Sequence, residues 1–399
     1  MKKLRLPFYL LVLILSLSHF SAQTTLPLAG PLVAATNARQ DQILLYDVGS
    51  GRLRELSFGY GEQQVWGFSP DGCRILFTLD SGDQHLPQLY TARLDGSDAH
   101  LMAQYTDNFD PTGVNAWGVW EPTWSSTGRI AFTLWRDLPQ PDGTVERQSH
   151  IVWIDGNGGT PQFYSNTGDE FSPAWSPDGQ WLAYVSYTER APGADVYSTA
   201  VPTVVPPPGQ TTTELPAVRE ADLWVVSLDG GLKYPLTDFA TGSVRSPRWS
   251  PDGELIGFLY SPTTGEDTIW MIANQSGAIA TQLSFHWNLT LDHTWLPDST
   301  AMIASIRDFR GLVENRLWRI PLIGNADSDA TLYLTDAAFT YTDYPRFSAD
   351  GRYLALRSEY SLVIVDLSDT TWRRLYADQP GNTPPVWTPV GFRGESACP

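Results

Sequence analysis

The chain has 399 residues, 42% of them hydrophobic and 12% aromatic, with a formal net charge of −18. That is apolar material for a large packed core, carried as one repeat domain or as several average ones. So acidic a surface repels nucleic acid and anionic lipid, and suits solubility, cations or basic partners.

The first stretch, MKKLRLPFYLLVLILSLSHFSAQ, has a basic start, an apolar run over 6–17 and then small and polar residues. It predicts a signal peptide, 1–22, cleaved after Ala22, with a retained membrane anchor as the alternative. Cleavage removes Lys2, Lys3 and Arg5, takes the net charge to −21 and leaves Lys233 as the remaining lysine. An exported protein, periplasmic or extracellular, with no membrane span after processing is the expectation.

Residues 26–58 hold three strand-like runs, at 32–35, 42–48 and 53–57. The phrase VWGFSPDGCRILFT (65–78) follows. It returns as PTWSSTGRIAFTL (122–134), SPAWSPDGQWLAYVSY (172–187), PRWSPDGELIGFLY (247–260), HTWLPDSTAMIAS (293–305) and PRFSADGRYLALRS (345–358), and truncated as PPVWTPVGF (384–392). An aromatic (Phe68, Trp124, Trp175, Trp249, Trp295, Phe347 or Trp387) ends one strand. A Ser-Pro-Asp-Gly-like turn reverses the chain, proline setting φ and glycine accepting a positive one. Alternating apolar residues such as Trp181 to Val185 make the next strand. A third and fourth strand with their own turn follow, as in DLWVVSLDGGLKYPLT (222–237). Internal self-similarity of this kind predicts an all-β propeller of four-stranded blades. Six whole repeats plus one assembled from both termini give seven blades, with six as the alternative. The last copy supplies an inner strand that 26–58 lacks, so strands from both termini close the ring and leave no free edge.

The string P-x-W-S-P-D-G with its following strands resembles the TolB-type propeller repeat and spans nearly all of 23–399. The resemblance implies the fold, and extracytoplasmic protein interaction of the kind seen in the Tol–Pal envelope system. Two features depart from TolB proper, which has six blades and an α/β domain ahead of them. Peptidase propellers share the repeat but add a hydrolase domain of a few hundred residues, for which no room is expected after residue 399.

Cys73 follows the turn of the first whole repeat, and Cys398 follows the closing strand. The topology places both by one face, which predicts either a staple across the closure or two free thiols. The variable connections, at 80–87, 103–120, 136–149, 188–221, 285–292 and 307–315, fall on the opposite face, where propellers usually place function. The insertion 188–221 is rich in proline and threonine and reads as an extended arm.

Catalytic fingerprints are missing: there is no G-x-S-x-G, H-E-x-x-H, P-loop or dinucleotide motif, and no cofactor is expected. The turn aspartates Asp71, Asp178, Asp252 and Asp350 read as caps of backbone amides. Candidate ligand-binding residues at the tunnel mouth are the aromatics Trp117, Trp120, Phe171, Trp287, Tyr341 and Tyr344. The charged candidates are Glu121, Arg245, Asp292 and Asp343, with His286 and His293. The expected function is binding or scaffolding of an extracytoplasmic protein segment or glycan by a monomer. A hydrolase or lyase using the tunnel-mouth carboxylates and histidines, or the detached propeller of a peptidase system, is the alternative.

Overall fold

The computed structural model describes residues 26–82, 86–103, 117–139, 142–164, 169–190, 218–239, 241–262, 267–284, 290–307, 314–336, 339–359, 361–375 and 383–399. The expected signal peptide 1–22, His286, Trp287 and residues 191–217 of the insertion lie outside them. The described strands form five four-stranded sheets and one eight-stranded sheet. The larger sheet divides where Val218–Ser227 meets Ser243–Trp249 through one parallel pairing, Ala221 with Ser243. On either side lies an antiparallel meander of four strands. The described strands therefore fall into seven four-stranded units, consistent with seven blades.

The apolar clusters follow the same count. Leu182 and Tyr184 face the cluster shared with the preceding blade, together with Ala131 and Ile151. Ala183 and Val185, one residue out of step, face the following blade with Val244, Ile256 and Phe258. A period-two strand that is apolar on both faces is what a sheet stacked between two others requires. Each neighbouring pair of sheets shares one cluster, including the last with the first, where Ala355, Leu362 and Ile364 meet Val33, Ala35 and Tyr46. Burial of each such Leu, Ile, Val or Phe contributes about 1.5–3 kcal/mol, so the inter-blade faces are the main source of stability.

The ring closes through both termini. Val386–Trp387 pairs with Leu32–Thr36, Val33 opposite Trp387 and Ala34 opposite Val386. Leu32 in turn donates its amide to Thr388 Oγ1 at 3.1 Å. Cys73 and Cys398 are joined in a disulfide, with Cα atoms 5.4 Å apart. Beside it Glu395 accepts from the Leu28 amide at 2.7 Å and pairs with Arg54 at 2.6 Å.

The turns are built as their residues dictate. Asp178 Oδ1 accepts from the Ser176 hydroxyl at 2.5 Å and the Gln180 amide at 3.0 Å, and Ser176 Oγ accepts from the Trp181 amide at 2.9 Å. Gly179, at φ +67°, completes the turn where a Cβ would cost energy. Asp71, Asp252 and Asp350 repeat the arrangement.

Several stretches read as loops are partly strand, among them the starts of Trp117–Trp124 and Thr290–Trp295. Arg129–Pro139 and Val145–Asp155 form one long hairpin with Arg136 opposite Gln148, so most of 136–149 belongs to the ladder. Likewise Thr188 pairs with Glu220 and Arg190 with Val218, so both ends of the 188–221 insertion are strand. In both extensions the backbone pairing continues past the blade body.

Candidate functional site

The inner strands line the central tunnel, and most of them are interrupted. Their pairing slips between Val65 and Gly67, Trp120 and Thr123, Phe171 and Ala174, Arg245 and Arg248, Thr290 and Asp292, and Asp343 and Arg346. In four strands the slip contains a proline of the repeat (Pro122, Pro173, Pro247, Pro345). Proline has no N–H for the ladder, so it belongs at a bulge. The residue before each proline takes a left-handed conformation: Glu121 at φ 50°, Ser172 at 55°, Ser246 at 52° and Tyr344 at 52°. Each such non-glycine residue costs about 1 kcal/mol or more.

The bulges aim these side chains inward. Glu121, Ser172, Ser246 and Tyr344, with Trp66 at the bulge of its own blade, line a cavity of about 830 Å³. The residue between proline and aromatic also faces it: Thr123, Ala174, Arg248 and Arg346, with Thr294 and Val386 at the matching positions. Pro177, Pro251 and Pro297 of the turns continue the wall. The cavity therefore runs along the tunnel from the bulges toward the short-turn face. The opposite, loop-rich face expected to carry function lies largely outside the described residues.

Electrostatics divide the tunnel. Asp292, 3% exposed, accepts from Arg248 Nη2 at 3.1 Å and Arg346 Nη1 at 2.7 Å, so three consecutive blades meet at one carboxylate. Burial opposes its charge, but the two guanidiniums prevail and hold its pKa down to about 2. Arg346 is itself lowered to about 10 by burial and by Arg248. Across the lining, Glu121 Oε2 accepts from the Ser172 hydroxyl at 2.8 Å. Burial pushes the Glu121 carboxyl upward, against the pull of Ser172 and Arg248. Trp120, 42% exposed, stands edge-on to Trp66 and tilted to Trp135, each with centroids 6.1 Å away.

Of the candidates read from sequence, Trp120, Glu121, Asp292 and Tyr344 converge on this cavity. The others take different places. Trp117 is buried between two blades. Phe171 packs on Tyr187 with centroids 5.2 Å apart. Arg245 bonds Ser261 Oγ at 3.0 Å and pairs with Asp267. Asp343 is buried and accepts from Arg357 at 2.6 Å. Tyr341 is half exposed. His293 is an inner-strand residue rather than a loop histidine. It is fully buried, neither ring nitrogen meets a hydrogen-bond partner, and burial lowers its pKa to about 3. Asp292 is thus fixed as an anion and His293 as a neutral ring, and neither changes charge near neutrality. Arg248, Arg346 and Trp66 were missed because they occupy repeat positions read as framework. Aligning the seven repeats on their aromatic exposes the signal, since the preceding column reads Gly, Thr, Ala, Arg, Thr, Arg, Val.

Among the described residues, no three His, Cys, Asp or Glu side chains group as a metal site, and no helix is long and apolar enough to cross a membrane.

No protein-family model matches the chain. It is 28% identical over 137 residues to a TolB homologue of Chlorobium luteolum, a match covering 28% of this chain and 31% of that protein. The fold is a β-propeller, and the chain is similar to TolB proteins. It is also 26% identical over 228 residues to the uncharacterized peptidase YuxL of Bacillus subtilis, covering 54% of this chain and 28% of that one. Among solved structures, puromycin hydrolase superposes with a TM-score of 0.57 at 13% identity, over 90% of this chain and 55% of the other, which shows a shared fold. Less than a third of either curated relative is matched, so the likeness concerns the propeller and not the activity of those longer proteins.

Proposed function

We propose that this TolB-like propeller is an exported binding module that takes an extended segment of an extracytoplasmic protein into its central tunnel. The observation that carries the reading is the cavity itself: about 830 Å³, walled by tryptophans and prolines, with its charged groups confined to a few positions. The left-handed residues add support, because four of them sit at bulges that line the cavity and such strain is characteristic of binding sites. A protein segment suits this wall better than a glycan. The indole N–H groups of Trp175, Trp249 and Trp295 already donate to backbone carbonyls, leaving few donors for sugar hydroxyls. Export follows from the leader-like 1–22, and mature protein recovered from the extracytoplasmic fraction should begin at Gln23.

A random peptide library panned on the intact chain tests the reading. Thr123 faces the cavity without filling a core, so Thr123→Trp should plug the tunnel, abolish capture and leave the melting temperature near that of the parent. Peptides retained equally by both proteins, or none retained while a glycan array gives binders, would overturn it.

A further inference from the structure

The column of tunnel-facing residues between proline and aromatic holds Thr123, Ala174, Thr294 and Val386 in four blades, so the fold accepts small, neutral side chains there. Two blades instead carry Arg248 and Arg346, with the Asp292 blade between them. Asp292 takes one nitrogen from each guanidinium. Arg346 spends that same nitrogen on the Pro345 carbonyl as well, at 2.7 Å. Each guanidinium has five N–H groups in a rigid fork. Among the described residues, Arg248 Nε and Arg346 Nη2 are buried with no hydrogen-bond partner. An unpaired buried donor is costly, and two cations against one carboxylate leave a surplus positive charge in the cavity wall. The nearest other carboxylate on the lining is Glu121, which is bonded to Ser172 and favoured toward its neutral form by burial. The neighbouring His293 is neutral and Tyr344 is held un-ionised by burial, so neither offsets the surplus. In a chain of net charge −18, this wall is where an anion would be welcome.

We propose that Arg248 and Arg346 form a carboxylate-recognising wall, and that the segment entering the tunnel presents a carboxylate there, from an acidic side chain or from its own C-terminus. The inference rests on the peptide-binding reading for the identity of the ligand, though not for the anion chemistry. Arg248 is the more accessible partner. Its side chain is 31% exposed and Arg346 only 14%, so the Arg248 fork turns toward the cavity while Arg346 supplies fixed charge behind it. A guanidinium fork matches a carboxylate in two parallel hydrogen bonds, a geometry lysine lacks.

Two arms separate this claim from the peptide reading. In the first, saturation-transfer NMR at low salt uses glutarate as the probe, with the uncharged glutaramide as its control. Glutarate should bind saturably and glutaramide should not. Arg248→Gln should weaken glutarate by about tenfold or more, and Arg248→Lys, which keeps charge but loses the fork, should restore it only in part. Arg346→Gln should also weaken it, and thermal melts confirm that each variant is folded. Equal glutarate binding by parent and Arg248→Gln, or none by the parent, overturns the wall. In the second arm, tunnel-dependent peptides are remade with a C-terminal amide or with Asn and Gln in place of Asp and Glu, which tells the two carboxylate sources apart. Indifference to every such change overturns the carboxylate claim while sparing the peptide reading. Arginine-dependent binding of glutarate and of oligogalacturonate, with no peptide captured, leaves the wall standing and replaces the protein segment by an acidic glycan.

Discussion

The indole N–H of Trp249 donates to the backbone carbonyl of Ala174 in the preceding blade at 2.9 Å. The same relation joins Trp175 to Thr123 at 3.2 Å, Trp295 to Arg248 at 2.9 Å and Trp387 to Arg346 at 2.8 Å. The repeat aromatic is thus a latch between neighbouring blades, reaching the carbonyl of the residue just after the bulge. Trp124 sits at the matching place, yet its indole nitrogen is buried with no partner.

That contrast makes a paired test. Replacing Trp by Phe removes similar ring volume at both sites, but only at Trp249 does it also strand a bonded carbonyl. Trp249→Phe should lose more stability than Trp124→Phe by about 1 kcal/mol in urea unfolding. Equal losses would show that the latch contributes nothing beyond packing.

The Cys73–Cys398 bond spans a sequence separation of 325 and staples the closure of the ring. On the chain-entropy account so long a loop is worth about 5–6 kcal/mol. The Glu395 contacts with Arg54 and Leu28 hold the same end and offset part of the loss. Cys73→Ser, or reductant, should lower the melting temperature and slow the protein on a denaturing non-reducing gel. Two titratable thiols in the unreduced protein would contradict the bond.

Two buried histidines set the acid response. His293 is lowered to about 3 and His150 to about 4, burial being the main cause in both. In the unfolded chain each takes up a proton near pH 6.5, while the native state holds both neutral to well below that. The unfolded state therefore binds more protons between about pH 6.5 and 4, and stability falls as pH drops through this window. Asp292 works lower down: its contribution is intact above its ordinary value near 3.8 and is lost as pH falls toward about 2. Urea unfolding from pH 7 to pH 4 should show the slope, and His293→Leu should flatten it. A parent profile already flat would contradict the buried neutral assignment.

Ser246 is left-handed at φ 52° before Pro247, and Thr123 lies in an ordinary strand position beside a bulge. Glycine adopts φ > 0 without penalty, so relief of strain offsets its entropic cost at Ser246 and not at Thr123. Ser246→Gly should leave stability nearly unchanged, whereas Thr123→Gly should cost about 1 kcal/mol. Equal costs in thermal unfolding would remove the case for stored strain at the rim.

The sequence by itself determined the blade, the repeat and the closure. Strand alternation, the Ser-Pro-Asp-Gly turn and the tryptophan are short-range patterns, and their hydrogen bonds, as between Ser176, Asp178 and Trp181, are made within a few residues. Only the tertiary structure decided which side chains enter the tunnel. A bulge adds one residue to a strand, and with a period of two that single step reverses every inward and outward assignment beyond it. Counting along the inner strands therefore could not tell Arg248 from Arg245, or Asp292 from His293. Neither could it show that arginines from two blades, more than ninety residues apart, meet on one aspartate between them. That pairing exists because the ring sets the inner strands of consecutive blades side by side.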